Sequence, residues 1–95
     1  MEALLTALQE LAAYYLAAQS YKQALTCIQR ALPLDRANEE LYRQAMRAQA
    51  ALGDGAGLAQ TYEELKQVLA RDLGIDPMPG TTELYLRLLE RVGGN

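Results

Sequence analysis

Apolar residues in this chain recur at an offset of 34 positions, and the breaks between its apolar stretches recur at the same phase. Leu8 falls on Tyr42, Leu11 on Ala45 and Ala12 on Met46; farther along, Ala24 falls on Leu58, Ile28 on Tyr62 and Ala31 on Leu65. With 51% of the residues hydrophobic, some agreement comes by chance, so the matching breaks matter more than the matching side chains. Units of this length do not bury an apolar face alone; they do so by stacking on one another. The chain is thereby confined to a small stacked array in one domain, because 95 residues leave no room for a second core. The stacked elements are helices. Leu and Ala dominate, both with a low helix cost, whereas Val and Ile occur twice each, too few for a sheet.

Local chemistry sets five helical stretches. The first is expected from about Glu2 to Ala18. Ser20 stands where it can cap a second, Tyr21 to about Leu32, by accepting orphan amide hydrogens of the first turn. Pro33 stops that helix, and Leu34 to Ala37 form a loop. Asn38 caps the third helix, with Glu39 and Glu40 at the positive end of its dipole. It ends at Leu52-Gly53, where glycine suits the left-handed conformation after a last turn. Asp54 caps a fourth helix, roughly Gly55 to Leu73. Gly55 and Gly57 cost about 1 kcal/mol each relative to Ala there, so its first turn is expected to fray. The run Gly74 to Gly80, with Pro77 and Pro79, cannot be regular helix. A fifth helix, about Thr82 to Val92 with Thr81 or Gly80 as cap, leads to a frayed Gly93-Gly94-Asn95 tail.

A 34-residue helix–turn–helix unit is the tetratricopeptide period, and residues 5 to 38 resemble that family. Leu8, Leu11, Ala12 and Tyr15 share one face of the first helix, followed by Tyr21, Ala24, Ile28 and Ala31. Small residues at Ala12, Ala24 and Ala31 let paired helices approach, while Leu8, Tyr15 and Ile28 fill the space between. Arg36 stands where the family usually has Pro, and Leu58 and Leu65 replace small residues in a degenerate second repeat, pushing its helices apart.

A narrower resemblance spans nearly the whole chain. The run from Asp35 through Asn38-Glu39-Glu40-Leu41-Tyr42-Arg43-Gln44-Ala45-Met46-Arg47-Ala48 leads to Ala51-Leu52-Gly53-Asp54. It continues with Tyr62-Glu63-Glu64-Leu65, Leu69 and Asp72-Leu73-Gly74-Ile75-Asp76-Pro77-Met78-Pro79. This is similar to the bacterial transcriptional activator domain, the Leu-Gly-Ile-Asp-Pro-x-Pro linker being its most specific element. The resemblance implies a helical module that follows a winged-helix DNA-binding domain in antibiotic-regulatory-type activators and occurs in large multidomain regulators. The family's DNA-contacting residues lie in that winged-helix domain, so none is carried over. Met1 accordingly reads as the start of a piece of a longer regulator, or of an unusual stand-alone module.

The charge pattern agrees. Net charge is −3 with both signs interleaved, and no basic stripe of the kind that neutralises phosphates is visible. Cys27 is the only cysteine and there is no histidine, which excludes an internal disulfide, a multi-cysteine or histidine zinc site and a His-dependent triad. Cys27 is expected to be a small buried residue. Glu39-Glu40 and Glu63-Glu64 are adjacent carboxylates, but neighbours on a helix point about 100° apart and do not converge on a substrate. Gly53, Gly55 and Gly57 lack the preceding strand and following lysine of a phosphate loop. Tyr14, Tyr15 and Tyr21 are expected to pack rather than stack on bases. No cofactor and no catalysis are expected. No apolar run approaches the 18 or so residues that span a bilayer, and nothing resembles an export signal, so the cytoplasm is the default location.

Two surfaces are candidates for contact. Between Ala3 and Ala18 only Thr6, Gln9 and Glu10 are strongly polar, so the first helix is apolar most of the way round. Either Ala covers the excess harmlessly, or a second face with Leu4, Leu5, Leu8, Leu11 and Tyr14 packs on another chain or on an upstream domain. The second reading is preferred, and it predicts a homodimer in isolation. The inner wall of the array would combine Gln9, Ala13 and Leu16 with Arg43, Arg47 and Ala50. Arg43 and Arg47, one turn apart, could clamp an acidic group, or form a solvated face with Glu39 and Glu40 paired to Arg43; the solvated face is expected. Chaperone-type carboxylate recognition is not expected, since Asn occurs only at Asn38, a cap, and Asn95.

The sequence therefore predicts an all-α, tetratricopeptide-like solenoid: repeats at about 5–38 and 39–72, and a capping helix at about 81–92 that buries Leu84, Leu88 and Val92. The expected role is non-catalytic protein–protein interaction and dimerisation in a bacterial transcription regulator. Partners would be another protein or the DNA-binding domain of the same polypeptide, without direct nucleic-acid or membrane contact. The rivals are a free-standing adaptor unconnected with transcription and, further off, direct nucleic-acid binding.

Overall fold

Polar and glycine breaks partition the chain into α1 (Glu2–Ala17), α2 (Tyr21–Ala31), α3 (Glu39–Ala51), α4 (Gly55–Leu73) and α5 (Pro79–Gly93). A computed structural model describes residues 2–93; Met1 and the last two residues of the expected frayed tail lie outside it. Among the described residues there is no strand, and no helix is long and apolar enough to cross a membrane.

The helix ends follow their local chemistry, with three corrections. Asn38 Oδ1 accepts from the amides of Glu40 (3.0 Å) and Leu41 (3.3 Å), and Asp54 Oδ1 accepts from that of Gly57 (2.9 Å), as caps should. Ser20 occupies the cap position of α2, yet its side chain makes no capping bond; only its carbonyl is used, by Ala24 N at 3.0 Å. Pro33 does not simply end α2. Residues Leu32–Leu34 tighten into a 3-10 turn with Pro at its start, where the missing N–H costs nothing. The largest difference is in α5, which begins at Pro79 rather than Thr82. Proline at the first helical position has its φ already set, and the Met78 carbonyl accepts from Thr81 N (2.9 Å) and Thr82 N (3.1 Å). Thr81 is therefore not a cap but a fully buried residue of the first turn.

Two closing residues differ in kind. Gly53 (φ +74°) ends α3, and Gln19 (φ +62°) ends α1 with the same backbone pattern, Asp54 N to Gln49 O and Ser20 N to Tyr15 O, both 2.8 Å. The left-handed conformation is strained for glutamine and free for glycine.

Packing follows the pattern of small and large residues. α1 and α2 enclose Leu8, Ala12, Ile28 and Cys27, onto which Leu41 and Ala45 of α3 close. Ala12, Ala24 and Ala31 have no exposed surface, the close approach their size permits. On the other side of α3, Tyr42 packs on Leu65 and Leu69, and Met46 packs on Leu58 and Leu88. Each Leu or Met buried in this way stabilises the fold by about 1.5–3 kcal/mol. α5 lies against both α3 and α4. Leu84, Leu88 and Val92 all join the third cluster, and the rings of Tyr62 and Tyr85 stack at 4.1 Å with planes 2° apart.

The glycines that open α4 have a packing reason. A side chain at Gly57 would collide with the Asp54 carboxylate that caps the helix, and one at Gly55 would press on Val92 of α5 at 3.2 Å. The array measures 41 × 35 × 19 Å. Its thickness is that of two helix layers, α1, α3 and α5 in one and α2 and α4 in the other.

Candidate interaction surfaces

α1 is the least amphipathic of the helices, and the reason lies in its unpaired face. Leu8 and Ala12 are buried in the core, and Leu5 and Tyr15 pack at its edge. Leu4, Leu11 and Tyr14 stand on the adjoining side, 51%, 42% and 65% exposed. With the exposed Ala7 between them, positions 4, 7, 11 and 14 alternate steps of three and four, the spacing of a stripe that meets another helix. Of the five residues expected at a contact, then, Leu8 serves this chain's own core and Leu5 is half buried. Leu4, Leu11 and Tyr14 present the surface.

The second surface lies where the end of α1 and the start of α2 meet α3 and α5. A cavity of about 410 Å³ opens there, with Leu16, Ala50, Leu84 and Leu88 among its apolar lining and Arg47, Arg87 and Arg91 among its polar lining. Three of the six residues expected at the inner wall (Leu16, Arg47 and Ala50) reach it. Gln9, Ala13 and Arg43 do not line it. Arg87, Arg91 and Tyr21 were not foreseen as groove residues; the signal was available in Arg87 and Arg91, two cations one turn apart on the last helix.

Arg43 is taken up by the fold. Its guanidinium reaches Glu40 at 2.9 Å, and its Nη1 donates to Thr81 Oγ1 at 2.7 Å. The Thr81 hydroxyl in turn donates to Glu39 Oε1 at 2.8 Å, and the Glu39 carboxylate accepts from Met78 N at 3.1 Å and 3.2 Å. This polar junction locks the α4–α5 linker and the first turn of α5 onto α3. It bears out the Glu40–Arg43 pair and reassigns Glu39, which bonds across to α5 instead. Arg47 stays exposed, 3.8 Å from Glu40. Tyr42, in the second cluster, donates to Arg36 O at 3.1 Å. Burial first, and then the nearby Glu64 carboxylate, push its phenol above the ordinary value. Among the described residues no three acidic, Cys or His side chains gather as a metal site would require.

The model of the bacterial transcriptional activator domain matches residues 1–89, nearly the whole chain. The chain belongs to that family. No match was found among curated proteins or among solved structures. The bacterial transcriptional activator domain is a tetratricopeptide-like helical module of transcription regulators, and this chain has that fold. The linker that carried the resemblance has a visible job in it. Met78 and Pro79 set the entry of α5, and the Glu39 carboxylate holds the Met78 amide. Leu73, Ile75 and Met78 remain exposed around it.

Proposed function

We propose that this bacterial transcriptional activator domain is a non-catalytic protein–protein interaction and dimerisation module of its regulator. A DNA-binding domain would lie in the same polypeptide, and the whole would work in the cytoplasm. The observation that carries the reading is the exposed stripe of Leu4, Leu11 and Tyr14 on a helix whose adjoining face already fills the core. Its residues follow the spacing by which one helix meets another, and no charged residue interrupts it at positions 4, 7, 11 and 14. Leu86 and Leu89 of α5 are also exposed, but Glu83, Arg87 and Glu90 surround them, which suits a solvated helix end.

A second copy is the simplest occupant, because a two-fold axis sets the stripe against itself. Light scattering at roughly tens of micromolar should give twice the 10.5 kDa of one chain. Leu11→Glu with Tyr14→Glu should return the mass to that of a monomer while leaving the helical circular dichroism unchanged. A monomeric wild type would remove the dimer. The stripe would then be assigned to the upstream domain, testable by its protection from hydrogen exchange in the longer polypeptide.

A further inference from the structure

We propose that the cavity between α1, α3 and α5 receives an acidic peptide segment of a protein partner, its carboxylates held by Arg47, Arg87 and Arg91. This surface is separate from the α1 stripe. Three of the chain's nine Lys and Arg residues line the one cavity, and no carboxylate lines it, in a chain whose formal charge is −3. Among the described residues neither Arg87 nor Arg91 has a carboxylate within 4.0 Å, although Glu83 and Glu90 lie on the same helix. Arg47 has only Glu40 at 3.8 Å, and Glu40 is shared with Arg43 at 2.9 Å. Arg87 and Arg91 stand four positions apart, a spacing that destabilises a helix when the charges are alike. An anion in the cavity relieves that repulsion and supplies the forked acceptor a guanidinium prefers.

Size and spacing select the kind of anion. A cavity of about 410 Å³ holds a few side chains. Arg87 and Arg91 are about 6 Å apart along the helix axis. Side chains on one face of an extended peptide repeat at nearly that distance, about 6.6–6.8 Å. Two acidic residues separated by one other residue therefore reach both guanidiniums. The apolar floor of Leu16, Ala50, Leu84 and Leu88 takes an aliphatic side chain from the same face of the segment. A nucleic acid is the poorer occupant, because its phosphates continue beyond the cavity and would meet a chain in which twelve Asp and Glu outnumber nine Lys and Arg.

The test is a titration of the whole domain, nitrogen-15 labelled, with the acetylated and amidated hexapeptide Glu-Ser-Glu-Ser-Leu-Ser. The arginine side-chain resonances of Arg47, Arg87 and Arg91 and the amide of Tyr21 should shift saturably. The peptide with Gln for both Glu residues should bind at least about tenfold more weakly, a loss of 1.4 kcal/mol. Arg87→Gln with Arg91→Gln, both at exposed positions, should lose binding while keeping the helical spectrum. No shift up to about 1 mM peptide, a weak limit for a specific site, overturns the proposal. So does equal binding of the Gln peptide, or a shift map centred on Leu4, Leu11 and Tyr14 of the α1 stripe. Stronger shifts from a single-stranded oligonucleotide would assign the cavity to phosphates instead, and equal shifts from glutarate would assign it to small dicarboxylates.

Discussion

The two ends of the helical array are finished differently. At the C-terminal end, α5 closes over α3 and α4 with Leu84, Leu88 and Val92, a stacked Tyr62–Tyr85 pair, and the Glu39–Thr81–Arg43 junction. At the N-terminal end, among the described residues, α2 and α3 cover one face of α1 and no element covers the next. Leu4, Leu11 and Tyr14 face outward, Ser20 leaves its capping role unfilled, and a strained Gln19 closes the helix where α3 uses Gly53. One end is locked by contacts distant in sequence, and the other is held by one face of a single helix. Stacked helices leave apolar surface wherever a face lacks a neighbour, and among the described residues α1 carries such a face. That asymmetry is why the contact proposed for this domain is placed on α1.

The contrast gives expected outcomes that run from large to small. Leu58→Ala, in the fully buried cluster under α5, should cost about 2–5 kcal/mol in urea denaturation, whereas Leu11→Ala should cost the protomer less than about 1 kcal/mol. Equal losses at the two sites would mean that the ends are packed alike. Thr81→Val keeps the shape but strands the Glu39 and Arg43 groups that bond to the hydroxyl, and should cost about 1–3 kcal/mol by the same measurement. Asn38→Ala should cost about 1 kcal/mol, but Ser20→Ala, with no capping bond to lose, should stay within about 0.5 kcal/mol. Gln19→Gly should raise the melting temperature slightly, since relief of left-handed strain of about 1–2 kcal/mol is largely offset by glycine's backbone entropy.

The smallest effect concerns pH. The Tyr42 phenol is raised above 10.0 in the folded protein, so above that pH the folded state keeps a proton that the unfolded chain has released. Stability should therefore fall as pH rises from 10.0 toward the folded value, and it should be unaffected by this group below that window. Melting curves of Tyr42→Phe should lack that alkaline component, even though the variant also loses the bond to Arg36 O.

Much of the helical layout was legible without coordinates. Asn38, Asp54, Gly53 and Gly74 sit at the helix ends where their chemistry belongs, because a cap or a left-handed stop is decided within a few residues. The unpaired face of α1 was legible as an excess of apolar residues, although not which of them would be left outside. Leu8 and Leu11 are both leucines on nearly the same side, and only the position of α2 and α3 makes one core and the other surface.

The sequence by itself determined that the described residues fold as helices, where four of the five begin, and which family the chain belongs to. These rest on propensity, capping and a run of residues in order, all of them local. The tertiary structure alone decided that Thr81 is a buried bridge rather than a cap, joined to Glu39 across 42 positions. It also decided that Arg87 and Arg91 gather beside Arg47, while Arg43 is consumed by the fold. Those outcomes depend on how α5 is laid across α3, and no window of neighbouring residues contains that angle.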